Sequence, residues 1–530
     1  MTKREALNGK PYAGNPHVRF DEGEAASTAT SRRGSLLYTK CRNRKKSAVL
    51  FVGAFAVAFN VLAAETTWNV RHGGDMQVET NWKNNLKPTS ADLIKIGLDN
   101  DKPITLSEDL TATGGNSIFS GNFELALTNA TGLANTLSLK RILLGGGGKT
   151  IRLTAGTLSF NDNFYLGDNS TAFHDDTFWV DGDKSILSGE GTKIFVGSKN
   201  YNNMLCVANG GTVIASELHV GRNQWSDTYV STNNCFRVTG TGSTATFSSS
   251  VNFGSSGLGR IEVLDGGCLI TTNLYVRHNS GYNTIPWYGG NSMCVSGAGS
   301  KIIVNGAGNL GFWLGHPNAP DCSVLLQEGA VWESYGEFKI GDGATTNATF
   351  RVASGASLSH RIYSLNVGAT ATAVNSALEI DNGSVENPEK PIYVRGLNSH
   401  IDIRGADAKL STVDALSFSA NTKFNVEIPC QGFKDGGVPV TCKTLSLDAG
   451  SVVNITLADG WDKVKSGTYR IVVAEAVNDI SETGFAVNLP SDTDDLKVTF
   501  DRTNAKQLAV KIKVRAGLRI SVNGLRISVK

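Results

Sequence analysis

The sequence predicts an all-β chain wound as a parallel β-helix, a solenoid closed by β caps at its N- and C-terminal ends. Three observations carry that expectation. Glycine makes up about 11% of the 530 residues, against about 7% in an average protein. Charged residues are only 18%, and Ser, Thr and Asn fill the gap beside Val, Ile and Phe, which is strand-and-turn material. Above all, one phrase returns from about residue 150: alternating apolar residues, a Gly with a small residue, a second short strand, then an apolar residue before Gly.

The phrase closes at Leu166-Gly167, Val196-Gly197, Val220-Gly221, Phe253-Gly254, Val276-Arg277, Leu314-Gly315, Ile340-Gly341 and Val367-Gly368. The second residues of these pairs lie 23 to 38 apart, about 29 on average. Each unit holds two or three strands of period two, too short to bury a core alone. Stacked about 4.8 Å apart, such units pair every backbone group and build one apolar column. Irregular spacing is absorbed by loops leaving at a corner. A propeller, the rival architecture, requires four strands and a regular 40–50 residues per blade. Over residues 103–415 the repeats predict about ten to twelve rungs, with the eight apolar residues named above at equivalent positions.

The chain begins with a basic leader, residues 1–46. Residues 1–63 hold 11 Lys/Arg and 4 Asp/Glu, so the remainder holds 39 basic and 44 acidic residues, a net of about −5. That remainder lacks the broad basic face of a nucleic-acid binder. Arg42, Arg44, Lys45 and Lys46 lead into the apolar run Ser47–Leu62, followed by Ala63 and Ala64. A basic stretch, a short apolar stretch and a small-residue site are the parts of a secretory signal. Residues 47–64 are therefore read as signal and cleavage site, with an uncleaved anchor as the alternative. The run is shorter than the ~20 residues of a spanning helix, so contact with a membrane is expected only through export.

Residues 65–102, with Trp68, Trp82, Leu93, Ile94 and Ile96, are expected as an N-terminal cap. Residues 103–415 are the solenoid. From about 416 the alternating strands lengthen, and 416–515 is expected as a C-terminal β cap or small sandwich. Residues 516–530 form a tail in which Gly-Leu-Arg-Ile-Ser-Val occurs twice.

The phrase with its apolar-Gly ending resembles the autotransporter-associated β-strand repeat of bacterial surface and secreted proteins. The opening of the mature chain is similar too: Trp68, Gly73-Gly74-Asp75, Asn81-Trp82, Pro88 and Asp92. The likeness covers about 66–515 in short, degenerate motifs. It implies a right-handed parallel β-helix, secreted or at the cell surface of a Gram-negative-type bacterium. It also departs from that family, because no room remains for a C-terminal translocator barrel, and another export route is then needed.

Seven cysteines follow the signal. Cys206, Cys235, Cys268, Cys294 and Cys322 keep roughly the repeat spacing and read as small strand hydrophobes. Cys430 and Cys442 bracket a Gly-rich turn and form the one disulfide candidate. No CxxC, HxxxH or GGxGxD pattern supports a metal, and no P-loop, G-x-S-x-G elbow or dinucleotide fingerprint supports a cofactor or a hydrolase. The best acidic cluster, His174-Asp175-Asp176 with Asp181 and Asp183, reads first as turn chemistry.

No catalytic residue can be named. The expected function is an adhesin-like structural protein that contacts a glycan or a cell-surface component. A polysaccharide lyase or glycoside hydrolase on the same scaffold is the alternative. The two longest gaps carry aromatic insertions, Trp225 and Tyr229 in one and Tyr282, Trp287 and Tyr288 in the other. Loops leaving one corner gather on one face, and aromatic rings there can stack on sugars or fold back over the seam.

Overall fold

The computed structural model describes residues 63–529 except 168–173, 199, 223–230, 255–256, 277–289, 307–309, 316–319, 459–465, 479, 481–482, 490–495, 502–503, 515–517 and 523–524. The leader and the apolar run up to residue 62 lie outside the described residues, as do all five insertion aromatics. Among the described residues no helix is long and apolar enough to cross a membrane.

The chain is all-β, and its parallel strands stack as a solenoid of about 13 turns. A turn has three faces. One turn runs through Thr177–Asp181 on the first face, then Ser185–Ser198, which bends between Gly189 and Lys193 and so supplies the second and third faces. Gly189 sits at that bend because a Cβ there would lie 2.1 Å from the Phe160 ring.

Each face contributes columns of like residues. On the third face the register runs Ile96, Phe119, Leu144, Leu166, Val196, Val220, Phe253, Val276, Leu314, Ile340, Val367, Val394, Phe418, Leu447. All eight residues singled out by the repeat lie in this column, and each is fully buried. Eleven members fall within 103–415. The Gly that follows each of seven members has positive φ, for example 72° at Gly197 and 62° at Gly368. That conformation turns the chain at the corner, where L side chains are strained.

Parallel pairing runs on through both stretches expected as caps. Glu65–Thr67 already pairs with Leu93–Lys95. The buried Trp68 and Trp82 meet edge to face at 5.0 Å and close that end of the core. At the other end Lys423–Ile428, Val452–Leu457 and Gly484–Asn488 are three further first-face strands. Only the last strands reverse, with Gln507–Val514 antiparallel between Gly467–Val477 and Leu496–Asp501. Past 416 Val440–Leu447 likewise pairs in parallel with the second- and third-face strands of the rung before it, so the rungs run on.

Cys430 and Cys442 are both free thiols, so the expected disulfide is not made. Cys442 points into the core from its strand, and burial pushes its thiol up to about 12. Cys430 lies in the turn after Pro429 and is only half-buried.

Candidate functional site

The insertions bearing Trp225, Tyr229, Tyr282, Trp287 and Tyr288 lie outside the described residues, but the strands that precede them are described. Arg222 ends the strand before the first, and Val276 ends the strand before the second. Val220 pairs with Phe253 and Phe253 with Val276, so the bases sit at one corner two rungs apart, about 10 Å along the axis.

Beside that corner, the outer side of the third face carries a ladder that the repeat phrase contains but that spacing alone did not single out. It is the residue just before each seam residue: Tyr165, Phe195, His219, Asn252, Tyr275, Trp313. Stacked rungs set these side chains one above another. Tyr165 and Phe195 lie flat at 4.7 Å and 8°, and Phe195 and His219 at 4.9 Å and 14°. The guanidinium of Arg222 lies 5.2 Å from the Phe195 ring centre. Tyr275 meets Trp313 edge to face at 5.4 Å, and the Lys339 ammonium stands 4.4 Å from the Trp313 ring. Although they point outward, Phe195 is only 2% and Tyr275 only 3% exposed. The two faces of Phe195 are covered by Tyr165 and His219, so this part of the ladder offers little flat ring surface to a sugar.

Within the ladder, carboxylate, imidazole and ammonium meet. His219 Nε2 lies 2.9 Å and Lys193 Nζ 3.0 Å from the Glu217 carboxylate. These two partners, His219 foremost, hold Glu217 down at about 2. Burial lowers the His219 pKa despite the carboxylate beside it. The neutral ring then donates through Nε2, and the assembly locks the ladder rather than presenting a proton to solvent.

The acidic cluster read from the sequence is divided among separate tasks. His174 pairs with Asp175 at 2.6 Å and stacks on Tyr201. Asp175 accepts from the Asn202 amide, and Asn202 and His174 together hold its carboxyl below the usual range. Asp176 is buried at a corner, accepts the Lys149 backbone N–H at 2.8 Å, and is raised by burial. Asp181 pairs with Arg152 and accepts from Asn209.

The first face carries further charged pairs, Arg237 and Arg260 on Glu262, and Arg351 on Asp381. It also holds a shallow depression of about 280 Å³, lined by Asp402, Arg404, Asn425, Glu427 and Asn454 among others. Asp402 is tied there to Arg404, and the amides run Asn454 to Asn425 to Asp402 at 2.7 and 2.6 Å. Sequence reasoning missed this depression because its residues come from successive rungs. Among the described residues no three His, Cys, Asp or Glu side chains are grouped to hold a metal. Burial raises the Cys206 and Cys322 thiols to about 12, which makes these two poor nucleophiles.

No protein-family model matches the chain, and no curated protein matches it.

Proposed function

We propose that the chain is an exported, non-enzymatic scaffold of adhesin type, related to bacterial β-helix proteins with autotransporter-associated repeats. In this reading it acts outside the cell or on a Gram-negative-type surface and contacts a glycan or another surface component through the aromatic insertions. The observation that carries the reading is the common corner. Two insertions rich in Trp and Tyr leave equivalent positions two rungs apart, a spacing that lets one extended ligand touch both. The reading is further supported by the carboxylates at the ladder and on the first face, where Glu217, Glu262, Asp381 and Asp402 each engage a cation. Export is supported by the basic, apolar and small-residue order of residues 42–64.

The test is retention of the chain on arrays of neutral and acidic polysaccharides. The parent should be retained, and Trp225→Ala with Trp287→Ala should abolish retention with the melting temperature nearly unchanged. A double variant that still binds but melts earlier would make the insertions packing elements and sink the proposal. The lyase or hydrolase alternative rests on the depression around Asp402, and release of soluble products from the same arrays would favour it.

A further inference from the structure

Leu518–Val522 and Leu525–Val529 pair antiparallel as a two-stranded sheet separate from the solenoid sheet. Asn523-Gly524 stands between them, the dipeptide preferred by two-residue hairpin loops. Both strands read Leu-Arg-Ile-Ser-Val. The register is Leu518 with Val529, Arg519 with Ser528, Ile520 with Ile527, Ser521 with Arg526, and Val522 with Leu525. It is symmetric about the central isoleucines.

We propose that this hairpin is a self-association element whose partner is a second copy of the chain, added edge to edge. The argument starts from the duplicated sequence. A strand that pairs antiparallel with its own copy inside one molecule pairs identically with a copy from another. The backbone pattern permits it. In a two-residue hairpin the closing pair, Val522 with Leu525, exchanges hydrogen bonds, and such pairs alternate along the ladder. The N–H and C=O groups of Arg519 and Ser521 are therefore directed away from the hairpin, at its outer edge.

A second Leu518–Val522 strand laid antiparallel about Ile520 meets those groups in register and closes about four backbone hydrogen bonds. Arg519 then stands opposite Ser521 of the other copy, so arginines never face each other directly, which would cost stability. Leu518 meets Val522, and Ile520 meets Ile520. Apolar residues alternate with polar ones along both strands, Leu518, Ile520 and Val522 in one and Leu525, Ile527 and Val529 in the other. A lone two-stranded hairpin is marginal in water, whereas three or more strands with an apolar face hold together. The outer edge of Leu525–Val529 repeats the same offer through Arg526 and Ser528, so addition does not stop at two copies.

The experiment is sedimentation velocity on the full chain over about a hundredfold range of concentration. The parent should shift from monomer to dimer and larger species. Ser521→Pro with Ser528→Pro removes one outward N–H from each edge and blocks strand addition, while leaving the internal hydrogen-bonded pairs intact. That variant should stay monomeric with the melting of the solenoid unchanged. Ile520→Lys with Ile527→Lys should also lose association, through loss of the central apolar residues. A parent that is monomeric throughout overturns the proposal, as expected if the hairpin docks on an open edge of its own solenoid. A proline variant that associates like the parent overturns it as well, since edge pairing would then not be the contact.

Discussion

His360 offers the sharpest quantitative test of the fold. Its side chain ends an inward column of the second face, one rung after Ser334 and one before Asn387, and is completely buried 5.3 Å from the Phe338 ring. Neither ring nitrogen has a hydrogen-bond partner, and Ser334 Oγ and Asn387 Oδ1 are likewise unpaired. Backbone carbonyls of Ser334, Tyr363 and Ser364 come near enough to oppose the shift, yet burial outweighs them and lowers His360 from 6.5 to about 4. Between those values the unfolded chain binds a proton that the native chain refuses. Native stability is therefore fully present above pH 6.5 and is lost as pH falls towards 4. At about 1.4 kcal/mol per pH unit, the loss is about 3 kcal/mol. Hydrogen exchange of the segment 357–367 at a series of pH values reads it directly, since a solenoid opens locally. His360→Leu, of similar volume, should abolish this part of the pH dependence and be at least as stable as the parent at pH 7. A Leu variant whose opening free energy falls between pH 6.5 and 4 as steeply as the parent's would refute the reasoning.

Three further outcomes follow from single contacts. Gly368→Ala would put a Cβ 2.0 Å from the Arg395 backbone oxygen at a φ of 62°, and should cost more than about 2 kcal/mol in chemical denaturation. Trp82→Ala removes a buried ring and its Nε1 hydrogen bond to the Met76 carbonyl at 2.9 Å, and should cost about 3–5 kcal/mol, read as early exchange of residues 65–96. Cys206, Cys322 and Cys442, pushed to about 12, should resist alkylation in the native chain at pH 8 and react only on unfolding, whereas half-buried Cys430 should label first by mass spectrometry.

The seam was legible in the sequence because it is written as apolar-Gly, and both halves are forced: the apolar residue by the core, the Gly by positive φ. The boundaries were less so. Alternation continues unchanged whether neighbouring strands are parallel rungs or antiparallel additions, so residues 416–515 read as a C-terminal β cap or small sandwich, although strands as far as Gly484–Asn488 still pair in parallel. The disulfide failed for a related reason. Loop length brought Cys430 near Cys442 along the chain, but Cys430 lies in the turn after Pro429 and Cys442 on a core-facing strand, and both thiols are free. The terminal hairpin was legible in Asn523-Gly524 between two alternating segments.

The acidic residues follow a rule that sequence reading by cluster could not give. At one exposed corner Asn233 donates to Asn202 at 2.8 Å and Asn202 to Asp175 at 2.6 Å. Further along, Asn375 donates to Asn347 at 3.2 Å and Asn347 to Asp321 at 2.8 Å. On the first face Asn454 and Asn425 lead to Asp402 in the same way. Each of these three chains runs from a later rung to an earlier one, whereas at a buried corner Asn203 donates to Asn234 of the next rung at 3.1 Å. An interior member must both donate and accept, which an amide does; the first member only accepts, which a carboxylate does better. An Asp one repeat before an Asn is thus the terminus of a ladder. The same residues, taken rung by rung, would look like the scattered carboxylates of a polysaccharide-cleaving site. Exchanging roles separates the readings: Asn347→Asp sets two acceptors against each other and should cost about 1 kcal/mol, whereas Asp321→Asn keeps an acceptor for Asn347 and should cost less. Equal costs in the two variants, measured by denaturant unfolding, would show that ladder polarity does not govern where the acids stand.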